Sequence, residues 1–85
     1  MKPDKILLEA AGLVSGDRAA THGDFRQTYA LVARLWSAWL GVDVSTEDVL
    51  QMLSLMKKAR TQHGSENPDD YVDDAGYVGL AGAKD

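Results

Sequence analysis

Between Asp24 and Gly41 the chain reads "DFRQTYALVARLWSAWLG", and Phe25, Tyr29, Val32, Trp36 and Trp39 recur at the spacing of one helix face while Gln27, Arg34 and Ser37 lie opposite. A run of this length exceeds any ordinary strand, Asp24 offers an N-cap oxygen, and Gly41 is a natural residue to end a helix. The longest element is therefore predicted to be a helix over 24–40. The remaining segments must supply apolar surface to cover its stripe.

Three further segments carry helical punctuation. Pro3 and Asp4 suit a first turn, and Ile6, Leu7, Ala10, Leu13 and Val14 then share one side, which predicts a helix over 4–14 with Leu8 projecting the other way. "SGDRAATHG" has glycines at both ends and no apolar period, so it reads as a connection. Ser45 with Asp48 forms a variant capping box, after which Val49, Met52, Leu53, Met56 and Ala59 make an apolar side, and Gly64 stops a helix over 46–62. Asn67 caps the last helix, over 68–82, with Pro68 at its first position and Asp69 and Asp70 at the positive end of its dipole. Its predicted packing face is a run of small residues, Val72, Ala75, Gly76, Gly79 and Ala83. With no strand signal and no repeat, the reading is one all-α domain over 1–85, a compact four-helix bundle.

A chain of 85 residues buries only about 60% of its unfolded surface, so a lone copy has little core. Leu8 on an outer side and two tryptophans add apolar surface to hide, which predicts self-association into a homodimer or larger homo-oligomer. The absence of cysteine removes disulfides, thiol catalysis and thiolate zinc sites and suits a reducing cytoplasm. The opening "MKPDKILLEAAGLV" is too short and too charged for a membrane span and lacks the pattern of a signal peptide. A net charge of −4 disfavours nucleic acid as a partner.

Chemistry concentrates in two places. "DDYVDDAGY" sets Asp70, Asp74 and Tyr77 on the side opposite the small residues, with Asp73 at its edge, and no base occurs from Ser65 to Ala83. Like charges one turn apart repel by a few tenths of a kcal/mol, so the acids are either a solvated face or a receiver for a divalent cation or for basic side chains. "KKAR" supplies such bases. On the wheel Lys58 points away from the apolar stripe, Lys57 sits at its edge and Arg60 falls near its centre, which predicts either an Arg60 contact with Asp73 or Asp74 or an arginine snorkelling at the helix end. "THGDF" adds His22 and Asp24, yet one imidazole and one carboxylate specify neither a metal nor a nucleophile site, and Asp24 is better explained as a cap. There is no glycine-rich phosphate loop, and Trp36 and Trp39 at helical spacing read as core.

The ordered pieces "HGDF" at His22 to Phe25, "KKAR" at Lys57 to Arg60 and "DDAGY" at Asp73 to Tyr77 resemble a family of short bacteriophage proteins classed as a domain of unknown function, over nearly the whole chain. More loosely, the chain is similar to the MazG-like and dUTPase-like all-α nucleoside triphosphate pyrophosphatases, in which paired acids on two helices hold magnesium. That similarity implies a nucleotide or nucleotide-derived ligand, with Lys57, Arg60, Tyr77, His22 and Asp24 as ligand-binding candidates and Mg²⁺ on Asp70, Asp73 and Asp74. The acid pair of those enzymes is incomplete: one turn on from Asp48 stands Gln51, and Glu47 points away from the core face. The competing reading is a non-catalytic phage accessory or anti-defence protein, acting in the host cytoplasm, that binds a host protein.

Overall fold

In the computed structural model, which describes residues 1–15 and 25–83, the regular elements are four helices: α1 (Pro3–Leu13), α2 (Phe25–Leu40), α3 (Thr46–Arg60) and α4 (Pro68–Gly82). Among the described residues there is no strand. The chain is an all-α compact bundle, and its helix ends agree with the punctuation of the sequence to within two residues. Of the candidates, His22 and Asp24, with the proposed Asp24 cap, lie outside the described residues.

The caps explain where the helices begin and end. Ser45 accepts a hydrogen bond from the Asp48 amide at 3.0 Å while the Asp48 carboxylate accepts one from the Ser45 amide at 3.0 Å, so two amides left orphaned at the start of α3 are satisfied reciprocally. Asn67 accepts from the Asp69 amide at 3.0 Å at the start of α4, and Pro68 occupies a position where no amide hydrogen is needed. Gly41 and Gly64, both at φ 73°, turn the backbone left-handed just after α2 and in the α3–α4 connection.

Helix α4 lies between α1 and α3, and α2 packs on α3. At the end of α1 a Cβ on Gly76 would stand 3.7 Å from Val14 Cγ1, an ordinary van der Waals contact, so Gly76 of α4 faces this end of α1. The core is small: Val49 and Leu50 are its fully buried large side chains, joined by Ala10, Ala33, Val72 and Ala81. Ser37 stitches α2 to the turn that follows, donating to the Ala33 carbonyl at 2.7 Å and accepting from the Val44 amide at 2.8 Å. No helix among the described residues is long and apolar enough to cross a membrane.

The packed faces differ from the predicted ones in all four helices; on α1, Leu7 and Val14, placed on the packing side, are 62% and 40% exposed. On α2, Phe25, Tyr29, Val32 and Trp36 are half-buried as expected, but Ser37 also faces inward and Trp39 is 88% exposed. The small pair Ala33 and Ser37 allows the closest approach, and Trp39 lies about 120° around the helix from Ala33. On α3 the packed strip is Val49, Leu50, Leu53, Ser54 and Lys57, which leaves Met52 and Met56 exposed. On α4 Gly79 and Ala83 are exposed, because this central helix covers two neighbours: Gly76 meets α1, and Asp74 on the supposed outer side meets α3.

Candidate functional site

The seam between α3 and α4 is polar. The contacts run from Ser54 with Asp74 at one end to Arg60 with Asp70 at the other, as an antiparallel pair requires. Ser54 donates to Asp74 Oδ1, and Lys58 Nζ reaches Asp74 Oδ2 at 2.9 Å while also donating to Ser54 Oγ at 2.7 Å. Lys57 Nζ lies 2.9 Å from Asp73 Oδ2 and 3.8 Å from Asp70 Oδ1. Arg60 Nε closes the series at 3.2 Å from Asp70 Oδ1. One turn beyond Asp73, Tyr77 meets Tyr29 of α2 edge to face, with ring centroids 6.5 Å apart at 82°.

Burial grades these contacts. The Asp70 side chain is 8% exposed and Lys57 13%, so that pair sits where water screens little. Arg60 is 60% exposed and anchors only its guanidinium edge. Asp70 answers this burial with two bases. Among the described residues no buried side-chain nitrogen or oxygen lacks a hydrogen-bond partner. The cluster is internally satisfied.

The structure therefore brings together Lys57, Arg60, Asp70, Asp73 and Asp74, with Tyr77 beside them as a packing ring. The pairing is shifted from the predicted one. Arg60 takes Asp70, whereas Asp73 and Asp74 go to Lys57 and Lys58. Antiparallel geometry gives the reason: Arg60, at the end of α3, lies opposite the beginning of α4. Ser54 and Lys58 were missed. Their signal was a lone serine in the apolar run "LQMLSLM" with a lysine one turn later on the same side.

Asp70, Asp73 and Asp74 are the carboxylates that would hold a divalent cation, and each now carries a base, so metal entry requires Lys57 or Lys58 to let go. Among the described residues no three His, Cys, Asp or Glu side chains form a group suited to a metal ion. Beside the cluster an open cleft of about 550 Å³, lined by Met56, Arg60, His63, Asn67 and Asp70, marks the α3–α4 junction. A second, of about 400 Å³, runs between α1 and α4 past Glu9, Asp69 and Asp73.

A family described as a domain of unknown function, DUF6378, matches residues 5–84, so the chain belongs to it. It is similar to the Gene 55 protein of Mycobacterium phage L5, 38% identical over 76 residues, which cover 88% of this chain and 49% of that protein. It is also similar to the Gene 55 protein of Mycobacterium phage D29, 36% identical over 76 residues covering 89% and 50%. The chain spans about half the length of these curated phage relatives. No solved structure matches it.

Proposed function

We propose that this member of DUF6378 is a non-catalytic phage accessory protein that acts in the cytoplasm of the infected host cell by binding another protein. The observation that carries the reading is that the α4 aspartates are matched by α3 bases. A phosphoryl-transfer site needs carboxylate oxygens aimed at metal and bases aimed at phosphate. Here each set is used on the other, and the result is a rigid seam between two helices. Meanwhile large apolar side chains stay exposed on all four helices, among them Leu7 and Leu8 on α1, Leu35 and Trp39 on α2, Leu55 on α3 and Val78 on α4. Exposed apolar surface of this kind marks association.

A second reading is favoured by one observation: Arg60 and His63 line the cleft of about 550 Å³ beside Asp70. A nucleotide phosphate would meet Arg60 there, with Asp70 the member of the proposed Mg²⁺ set Asp70, Asp73 and Asp74 that lines the cleft, and Lys57 reaching it only by leaving Asp73. Thermal melts with a panel of nucleoside and deoxynucleoside triphosphates, with and without Mg²⁺, separate the two readings, since a ligand of the native state raises its melting temperature. The accessory reading gives no Mg²⁺-dependent rise, together with stoichiometric capture of a host protein that Leu8→Asp abolishes and Lys57→Met leaves intact. A Mg²⁺-dependent rise that Asp74→Asn removes overturns it in favour of the nucleotide.

A further inference from the structure

We infer that the outer face of α2 is a homodimer interface, in which two copies of the chain pack antiparallel about a two-fold axis passing near Leu35. This rests on the reading that the exposed apolar faces are working surfaces, and it assigns one of them to a second copy, leaving Leu7 and Leu8 on α1 for the other protein.

Helix α2 is apolar on both sides. Tyr29, Ala33, Trp36 and Ser37 turn inward, yet Leu31, Leu35 and Trp39 recur at i, i+4 and i+8 on the outside, 48%, 60% and 88% exposed. Ala38 completes this strip. An outward apolar strip on a helix whose other apolar side is already packed needs a cover that one copy of the chain does not supply. With Val42, exposed just beyond the strip, the uncovered surface on this side is on the order of 500 Å², nearly half of it on Trp39. A standard interface uses about 800 Å² per partner, so the strip with its polar margin is of dimer size.

A second copy fits this strip because the strip is symmetric about its own middle residue. A two-fold axis through Leu35 sets Leu35 against its counterpart and lays each Trp39 over the partner's Leu31. The same operation opposes the two helix dipoles. It also carries Asp43, exposed in the turn after α2, towards the first turn of the partner's α2, at the positive end of its dipole. The stripe residues Leu31, Leu35, Ala38 and Trp39 carry no charge.

Sedimentation of the full chain without nucleotide or metal tests this at about 100 µM, where a micromolar Kd leaves little monomer. The expected mass is near twice 9.2 kDa. Leu35→Glu should return it to 9.2 kDa with the helical circular dichroism retained, while Leu55→Glu on α3 remains dimeric. A wild-type monomer overturns the interface, as does a dimer that Leu35→Glu leaves whole. Because the chain has no cysteine, Leu35→Cys gives a second reading: mild oxidation should yield a covalent dimer well ahead of Leu55→Cys, and equal yields refute the axis. None of these readouts contains nucleotide or a host protein, so failure here is distinct from failure of the accessory reading.

Discussion

Lys57→Met tests the α3–α4 seam most informatively, because it keeps most of the side-chain stem and removes only the charge. Lys57 is 13% exposed and sits between Asp73 at 2.9 Å and Asp70 at 3.8 Å. The Asp73 contact is worth about 1 kcal/mol, since that carboxylate is more than a third exposed and water screens it. Asp70 is nearly buried, and stranding a buried charge costs about 3–5 kcal/mol. It is not fully stranded, because Arg60 still stands at 3.2 Å. The single variant should therefore lose about 2–3 kcal/mol, a fall of roughly 10–20 °C in Tm for a domain of this size. Arg60→Ala should lose only about 1 kcal/mol, because the arginine is mostly in water and Lys57 remains beside Asp70. Urea unfolding followed by far-ultraviolet circular dichroism, at one fixed protein concentration, reads all three quantities. The double variant should cost more than the sum of the singles, since only then is Asp70 bare. A Lys57→Met loss below about 0.5 kcal/mol, or a larger loss for Arg60→Ala, would refute the graded burial on which these figures stand.

Ser54→Ala removes a buried hydroxyl that joins Asp74 to Lys58 and should cost about 1–2 kcal/mol in the same urea assay, with Ser54→Thr overpacking the seam instead. Gly64→Ala places a Cβ on a backbone at φ 73° and should cost about 1 kcal/mol, although open space surrounds the position; an unchanged midpoint would show that the turn relaxes. Leu50→Ala empties one of the two fully buried large side chains, and a loss of about 2–5 kcal/mol is enough to unfold so small a core; a cooperative melt near the wild-type Tm would place the core elsewhere.

Helix ends were legible because their causes are local: the Ser45 and Asp48 box, Asn67 with Pro68, and the left-handed Gly41 and Gly64 all act within a turn of themselves. Faces were less legible. Apolar residues cover most of α2, so periodicity alone could not separate the side that packs from the side that stays open. The small pair Ala33 and Ser37 decided it, and Trp39 went outward. On α3 the sequence wheel put Arg60 at the centre of the stripe, whereas in the fold Lys57 turns inward because α4 brings Asp70 and Asp73 to it. Charge composition offered α3–α4 pairing as one of two readings beside a solvated acidic face; the register depended on where α4 begins, which is a tertiary fact. The small-residue face of α4 was half the story, since a helix between two neighbours packs on two sides.

The central claim is that the α4 aspartates serve the bases of α3 rather than a metal ion. Titration of the wild-type chain with Mn²⁺, a hard divalent stand-in for Mg²⁺ whose free form is counted by electron paramagnetic resonance, addresses it without any nucleotide. If Lys57, Lys58 and Arg60 hold the carboxylates, no saturable site appears up to about 1 mM, the weak end of the range for carboxylate cation sites. One saturable site that Asp73→Asn abolishes would contradict the claim.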